Sequence, residues 1–202
     1  MGPQPPLISG LILAAGLSRR MGRPKQEITL RGRPMLTYAV DSFLASKAGE
    51  VLVVIRPGAQ WRGPAEARMV VNPRPSDGMS SSLRVGLRSL DPRTEGALVG
   101  LGDKPALLAS TIDALIQAHR ESHAGIVVPT YHGSMGNPVL FDRALFPRLL
   151  RLRGDQGARE LVRRGAASVL ELAVDDPGVI LDVNVQADVR KMGRLLARLH
   201  SG

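Results

Sequence analysis

Short apolar runs alternate with stretches of helical periodicity along this chain, and this alternation limits the fold more than any other feature. Runs at residues 7–14, 51–55 and 97–101 have the length of buried strands and end in loops. Between them, apolar residues recur at helical spacing in 35–43 and 80–90. Strands that alternate with helices favour a sheet covered by helices on both faces. The sequence therefore predicts an α/β fold with a single doubly wound sheet, mixed but mostly parallel.

The same patterns place the remaining elements and the domain boundary. Further strands are predicted at 69–71, 125–128, 138–141, 169–174 and 179–182, and further helices at 110–119, 158–164 and 186–199. Ser110–Asp113 resembles a capping box for one helix, and Asp142 is placed to cap a short one. Trp61, in a loop of Gly and Pro, is interpreted as a surface packing residue. Residues 1–6 are expected to form a flexible Pro-rich tail, and residues 7–202 a single domain.

Composition narrows the classes of function. The chain has 202 residues and a net charge of +9, but only 3% of the residues are aromatic, which disfavours nucleic-acid binding. The basic surface is either simply solvated or attracts anionic small molecules. The absence of cysteine excludes thiolate metal sites and cysteine nucleophiles. No apolar stretch reaches the roughly 18 residues of a membrane span, and no signal-peptide pattern is present. We therefore expect a cytoplasmic protein without a membrane partner.

The loop after the first strand has the character of a phosphate-binding loop. In a sheet of this kind, ligands bind at the carboxyl ends of the strands. Residues 13–25 include small residues whose backbone N–H groups can approach phosphate oxygens, and Arg20 and Lys25 can neutralise a triphosphate. The spacing of Gly16 and Gly22 does not match a P-loop, and no dinucleotide-binding fingerprint is present. From the residues alone, an ordinary basic loop remains an alternative.

Several motifs in order along the chain carry a family resemblance. They are Ala14-Ala15-Gly16 with Arg20-Met21-Gly22 and Lys25, Asn72-Pro73, Gly78-Met79-Ser80-Ser81-Ser82, Leu101-Gly102-Asp103-Lys104-Pro105, Gly136-Asn137-Pro138-Val139, and Gly154–Arg159. Together they resemble the MobA-like nucleotidyltransferase family, and the motifs at 78–82 and 154–159 are most similar to its molybdenum cofactor cytidylyltransferase branch. The resemblance implies a Rossmann-type fold like that of nucleotide-diphospho-sugar transferases.

The resemblance also implies a nucleotide site and an acceptor site. The residues expected to bind the nucleotide are Leu13, Ala14, Ala15, Gly16, Ser18, Arg20, Met21, Gly22, Lys25, Asn72, Gly78, Ser80, Ser81, Ser82, Gly102 and Asp103. The residues expected to be catalytic are Arg20, Lys25 and Asp103, and those expected to contact the acceptor are Asn137, Pro138, Asp155 and Arg159. Without the resemblance, helix capping by the serines and a turn role for Asp103 remain alternatives.

A divalent cation, Mg²⁺ or alternatively Mn²⁺, is implied as the cofactor. In the family, the residue that corresponds to Asp103 holds this cation against the nucleotide phosphates, and few further protein ligands are needed. Asp182 and Asn184 are the expected second ligands. Asn184 stands where the cytidylyl branch usually has a carboxylate, and the guanylyl branch often carries Asn there.

The implied reaction is transfer of CMP from CTP to the phosphate of molybdenum-molybdopterin, with release of pyrophosphate. CTP and the molybdopterin cofactor are therefore the expected partners, and docking to a molybdoenzyme or its chaperone is a further hypothesis. The alternatives are a GTP-using guanylyltransferase, an oxidoreductase that acts on pigment-like heterocycles, and a cofactor carrier without catalytic activity.

Overall fold

The computed structural model describes residues 7–16, 28–157, 159–163, 165, 167–183 and 186–199. The strands are Leu7–Leu13 (β1), Thr29–Leu30 (β2), Arg33–Pro34 (β3), Glu50–Ile55 (β4), Ala67–Val71 (β5), Thr94–Leu101 (β6), Ile126–Tyr131 (β7), Ser134–Met135 (β8), Val139–Asp142 (β9) and Val169–Ala173 (β10). The α-helices are Met35–Leu44 (α1), Met79–Ser89 (α2), Ala109–Ser122 (α3), Phe146–Leu149 (α4), Arg159–Arg163 (α5) and Gln186–Leu199 (α6).

One mixed sheet organises most of these elements, as the alternation of strands and helices predicts, and β2 and β3 form a separate antiparallel pair. The strand order of the mixed sheet is β10-β7-β9-β6-β1-β4-β5, and β8 pairs with β7. The strands β4, β1 and β6 lie side by side and run parallel, and β5 extends them as a parallel edge strand. The strand β9 enters between β6 and β7 and is antiparallel to both. The carboxyl ends of β1, β4 and β6 therefore meet the amino end of β9 at one edge.

Alternating side chains of the sheet build a hydrophobic core on each face. Ile12, Val53 and Leu98 face α1 and α3, whereas their neighbours Leu11 and Leu52 face α2, α4 and α5. The period of two along a strand sends successive side chains to opposite faces, and this explains why both sides of β1 and β4 are apolar. A third cluster joins α6 to α1, and it contains Leu30, Met35, Tyr38, Ala106, Val183, Met192 and Leu196.

The predicted strand at 179–182 is wrong. Residues Pro177–Val179 form a 3-10 turn instead, and the backbone N–H groups of Ile180 and Leu181 both donate to the carbonyl oxygen of Pro177. The buried carboxylate of Asp176 accepts the N–H of Gly178 and so starts this turn. Because these N–H groups bond locally, the segment cannot join the sheet, although its apolar residues resemble those of a strand.

The capping box predicted at Ser110–Asp113 is also wrong. The N-cap of α3 is Leu108, and no side chain within the helix caps it. The carboxylate of Asp176 performs this role from outside the helix, because it accepts the N–H of Leu108 and the hydroxyl of Thr111. Asp142, in contrast, accepts the N–H of Ala144 and caps the short turn before α4, as predicted.

Trp61 is buried rather than a surface residue, which corrects the interpretation from the sequence. Only 3% of its surface is exposed, and its indole Nε1 donates to the hydroxyl oxygen of Thr37 at 3.0 Å. The loop that contains Trp61 connects β4 to β5 and packs the indole into the core beside α1. Within the described residues, no helix combines the length and the apolar character that a bilayer crossing requires.

Candidate active site

The backbone ladder of the central strands continues past their ends into the predicted phosphate-binding loop. The N–H of Ala14 donates to the carbonyl oxygen of Val54 at 2.8 Å, and the N–H of Gly102 donates to that of Leu13 at 3.1 Å. These bonds fix Ala14 beside Gly102 at the carboxyl edge of the sheet. Ala14 and Ala15 are buried, whereas Gly16 is exposed. The start of the loop is therefore rigid where it leaves β1.

Gly102 allows the loop after β6 to pass close to β1. A Cβ atom at this position would lie 2.8 Å from Cδ1 of Leu36 and 3.0 Å from Cβ of Ala14. A larger residue would therefore push the loop away from α1 and from the end of β1. The next residue, Asp103, has a partly exposed side chain at the edge where ligands bind in sheets of this type.

Asp103 lies beside the segment that carries Asp182. The N–H of Val183 donates to the carbonyl oxygen of Asp103 at 3.3 Å, and Nζ of Lys104 donates to the carbonyl oxygen of Leu181 at 3.1 Å. Asp182 itself is exposed. The structure thus brings two of the three predicted metal ligands onto adjacent segments. Asn184, the third, lies outside the described residues.

The donor set suits a hard divalent cation. Two carboxylates at the carboxyl edge are enough for Mg²⁺, which takes one or two such ligands and completes its shell with phosphate and water oxygens. Mn²⁺ also prefers oxygen ligands. The part of the chain that the structure describes has no group of three or more acidic, His or Cys residues that could hold a metal ion. A cation held by Asp103 and Asp182 would complete its coordination shell with phosphate and water oxygens.

Asn72 organises the serine-rich start of α2 from within. It is 1% exposed, and its Nδ2 donates to Oγ of Ser81 at 2.8 Å and to Oγ of Ser82 at 3.0 Å. Its Oδ1 accepts the N–H of Arg74 at 3.0 Å. Ser80, Ser81 and Ser82 are buried as well. Asn72 thus holds the loop before α2 against the helix, using both ends of its amide.

A carbonyl group of a distant loop, rather than a serine side chain, caps the first turn of α2. The N–H of Ser80 donates to the carbonyl oxygen of Gly154 at 3.1 Å. Gly78, the N-cap residue, has φ of +86°, and a Cβ atom on it would overlap the peptide group between Gly154 and Asp155. The close approach of two glycines is what lets this carbonyl reach the helix end.

Arg84 joins the same two segments, and no motif in the sequence marks it as a site residue. Its Nη1 donates to the carbonyl oxygen of Leu152 at 2.6 Å and to Oγ of Ser80 at 3.2 Å. Position 84 lies one helical turn after Ser80, so an arginine there reaches the residues that precede Gly154. The helical spacing of Ser80 and Arg84 can be read from the sequence, but Leu152, the other partner of Arg84, is distant in the sequence.

The predicted acceptor residues Asn137 and Pro138 lie at the same edge of the sheet. They precede β9, and Val139 pairs with Val99 near the carboxyl end of β6. A cis peptide bond joins the two residues, and the buried Asn137 donates its N–H to the carbonyl oxygen of Val179 at 2.8 Å. Asp155 is exposed on the loop that caps α2.

Several predicted residues lie outside the part of the chain that the structure describes. Ser18, Arg20, Met21, Gly22 and Lys25 fall in the segment 17–27, which lies outside the described residues. Arg159 begins α5, but its side chain is likewise outside the description. The roles of these residues stay predictions.

Comparison with known proteins finds one family model and several relatives that match this chain. A model of the MobA-like NTP transferase domain matches residues 10–169. The purine catabolism protein PucB of Bacillus subtilis is 30% identical, over 95% of this chain and 98% of its own length. The nicotine blue oxidoreductase of Paenarthrobacter nicotinovorans is 32% identical, over 95% of this chain and 97% of its own. A probable molybdenum cofactor guanylyltransferase of Mycobacterium avium is 28% identical, over 94% and 97%.

Solved structures share the whole fold. The Rv0371c homologue from Mycobacterium sp. strain JC1 superposes with a TM-score of 0.84 at 29% identity, and the match covers 95% of this chain and 98% of the other. Rv0371c from Mycobacterium tuberculosis, solved in complex with manganese, superposes with a TM-score of 0.80 at 31% identity, covering 93% and 98%. The resemblance that the motifs carry is thereby confirmed at the level of the family and the fold.

Proposed function

Because this chain belongs to the MobA-like NTP transferase family, we propose that it transfers CMP from CTP to the phosphate of molybdenum-molybdopterin and releases pyrophosphate. Membership of this family assigns the chain to the nucleotidyltransferases. The choice of cytosine and of the molybdopterin acceptor is supported by the similarity of residues 78–82 and 154–159 to the cytidylyl branch. A relative in Mycobacterium avium that is named a probable molybdenum cofactor guanylyltransferase supports the same class of acceptor.

One observation carries the proposal: residues expected on the nucleotide side and on the acceptor side meet at one edge of the sheet. Asp103 lies at the end of β6 beside the segment of Asp182. Asn137 and Pro138 precede the antiparallel strand β9, the neighbour of β6. The loop of Asp155 contacts the start of α2. A nucleotide and an acceptor that bind these groups would lie on neighbouring segments of this edge, and alignment of two reactants supplies a large part of catalysis.

The proposed chemistry requires alignment and charge neutralisation rather than a protein nucleophile. An oxygen of the acceptor phosphate attacks the α-phosphorus of CTP, a new P–O bond forms, and the bond to pyrophosphate breaks with its electron pair leaving on pyrophosphate. The acceptor phosphate is largely ionised at neutral pH, with a second pKa of about 6, so no general base is needed. Arg20 and Lys25 would neutralise the triphosphate. Asp103 and Asp182, with Asn184, would hold Mg²⁺, which supplies charge neutralisation at phosphate oxygens when bound.

Transfer of GMP from GTP is the second candidate function. Two observations favour it: the guanylyltransferase relative, and Asn184 at a position where the guanylyl branch often has Asn. Ala14-Ala15-Gly16, rather than Ala-Gly-Gly, favours CTP. An oxidoreductase reaction is less well supported, although one relative is named nicotine blue oxidoreductase, because the chain has no dinucleotide-binding fingerprint.

Calorimetric titration of the purified protein with CTP and with GTP, each with Mg²⁺, tests the proposal. We expect tighter binding of CTP, and release of pyrophosphate when molybdenum-molybdopterin is added. Preference for GTP in both assays would replace the proposal with its guanylyl alternative. Binding of neither nucleotide would overturn nucleotidyl transfer by this chain, and a parallel titration with NADPH would then test the oxidoreductase alternative.

A further inference from the structure

Lys104 is a buried lysine next to the proposed cation site. Only 4% of its surface is exposed, and it follows Asp103 directly in the chain. Burial of an ammonium group is costly unless the group is well bonded. An apolar side chain of similar length would fill the same space without that cost. The ammonium therefore needs a role that its stem alone would not fulfil.

The ammonium binds the peptide group that leads into Asp182. Nζ of Lys104 donates to the carbonyl oxygen of Leu181 at 3.1 Å, and this carbonyl belongs to the peptide that joins Leu181 to Asp182. On the other side of Asp182, the N–H of Val183 donates to the carbonyl oxygen of Asp103 at 3.3 Å. The residue that carries the second carboxylate is thus bonded on both sides to the loop that carries the first.

We propose that Lys104 is a positioning residue, which sets the separation between the carboxylates of Asp103 and Asp182 and so determines the affinity for a divalent cation. This inference rests on the proposed function of the same site. Lys104 would not touch the cation and would act through Asp182. The segment 181–183 has no regular secondary structure of its own, so its position depends on bonds to neighbouring segments.

The chain that leads to Asp182 is also held by other contacts, and Lys104 bonds to the peptide group that directly precedes Asp182. Gly178 packs against the backbone of Ala106 and Leu107, where a Cβ atom would overlap it. The carboxylate of Asp176 bonds to Leu108 and Thr111. These contacts anchor residues 176–178, and the N–H of Leu181 bonds back to the carbonyl oxygen of Pro177, whereas Asp182 follows this turn. Lys104 extends the anchoring to the peptide that precedes Asp182.

Replacement of Lys104 by a neutral residue can either raise or lower the affinity for the cation, and the direction shows whether Lys104 acts through its charge or by positioning Asp182. A positive charge near a cation site weakens cation binding. If Lys104 acted only through its charge, replacement by a neutral residue would tighten binding of the cation. If it acts through position, the same replacement weakens binding, by about 10- to 100-fold, as is typical when groups that orient metal ligands are removed.

Binding of Mn²⁺, followed by electron paramagnetic resonance with and without saturating CTP, tests the proposal without any turnover. We expect Lys104→Met, which keeps the stem but loses the donors, to weaken Mn²⁺ binding roughly 10-fold or more. Lys104→Arg, which keeps the charge and the donors, should restore most of the affinity. Lys47→Met, at an exposed lysine in the turn before β4, is the matched control and should bind like the wild type.

A double-mutant cycle with Asp182→Asn gives the second test. If Lys104 acts through Asp182, the double variant binds Mn²⁺ no more weakly than Asp182→Asn alone. Unchanged or tighter binding by Lys104→Met, or additive losses in the cycle, would overturn the proposal. If Lys104→Met does not fold, Lys104→Gln is measured in its place with the same expectation. A wild type that binds neither Mn²⁺ nor CTP would overturn the proposed function as well. Wild-type binding of Mn²⁺ that is lost in Asp103→Asn would support the cation site that the proposed function requires, whatever Lys104 does.

Discussion

The backbone N–H of Ser80 donates a hydrogen bond of 3.1 Å to the carbonyl oxygen of Gly154. This bond joins the start of α2 to a loop that follows α4, far along the chain. The positive end of a helix favours an oxygen with partial negative charge, so the contact also suits the helix dipole. Motifs that the sequence assigns to the nucleotide and to the acceptor are therefore in direct contact.

Substitution of Gly78 tests whether this contact matters. We expect Gly78→Ala to displace the loop of Gly154, because φ at Gly78 is +86° and an added Cβ atom overlaps the peptide between Gly154 and Asp155. The predicted result is a loss of about 1–3 kcal/mol in the free energy of unfolding and a raised KM for the acceptor. Urea denaturation and steady-state kinetics measure the two effects.

Gly58→Ala is the matched control for this prediction. Gly58 has φ of +71°, and nothing lies within 4 Å of the position of an added Cβ atom. This variant therefore carries the cost of the backbone conformation without the overlap. Equal losses of stability in the two variants, with an unchanged KM for the acceptor, would contradict the importance of the contact with Gly154.

Replacement of Asn72 by leucine should disrupt the start of α2. The change removes the donors to Ser81 and Ser82 and the acceptor for the N–H of Arg74. Each lost hydrogen bond costs about 1 kcal/mol, so we expect the loss of these bonds to lower the stability by roughly 2–4 kcal/mol and to weaken CTP binding. Ser82→Ala, which removes one acceptor of this network, should cost only about 1 kcal/mol. Calorimetric unfolding that ranks the two variants in the reverse order would contradict this role of Asn72.

Substitution of Asp103 should affect catalysis far more than stability. Its side chain is partly exposed in a loop, so we expect Asp103→Asn to keep the circular dichroism spectrum of the wild type. Turnover should fall roughly 100-fold or more, the scale on which loss of one electrostatic group acts in an active site. Glu66→Gln, at an exposed carboxylate before β5, is the control. Full activity of Asp103→Asn in a pyrophosphate-release assay would exclude its proposed role.

The pH dependence of Asp91 gives a test of the structure outside the candidate site. Side-chain hydrogen bonds from Arg93, with a backbone hydrogen bond from the same residue, lower the pKa of Asp91 to about 2. Because this pKa lies below the unfolded value of about 3.9, the stabilising contribution is present above that value. It is lost as the pH falls through the folded pKa.

An NMR titration of the Asp91 carboxyl group measures this pKa directly. In Arg93→Gln, the pKa of Asp91 should rise towards its ordinary value, because the side-chain donors that stabilise the carboxylate are removed. Arg31→Gln, on the turn between β2 and β3, should leave the pKa of Asp91 unchanged. An ordinary pKa for Asp91 in the wild type would show that the ion pair with Arg93 does not persist in solution.

The central part of the sheet was predictable because burial on both faces leaves a strong signal. Val51–Ile55 and Ala97–Leu101 are nearly continuous apolar runs, and both are strands in the structure. Val179 and Ile180 are equally apolar, but Asp176 starts a local turn there. The sequence pattern contains no sign that the carbonyl oxygen of Pro177 takes the N–H groups of Ile180 and Leu181, which a strand would need.

The candidate site was predictable in its motifs but not in its internal bonds. The motifs of the family are enough to locate Asp103, Asn72 and Gly78 in the sequence. They do not indicate that Asn72 uses its amide within the protein, or that Lys104 reaches Leu181. These contacts join residues that are distant in the sequence, and side-chain periodicity reports only on near neighbours.

The place of β9 in the sheet has a consequence for synthesis of the chain. The strands β5, β4, β1 and β6 are neighbours in the sheet and all come from the first 101 residues, so they can pair while the remainder is still being translated. Until residues 139–142 emerge, the edge of β6 that β9 will cover stays open. An open strand edge is a template for pairing with other chains. Protection of the nascent protein against aggregation therefore depends on β9, a four-residue strand that is translated after β6 and its other neighbour β1 and then covers the open edge of β6.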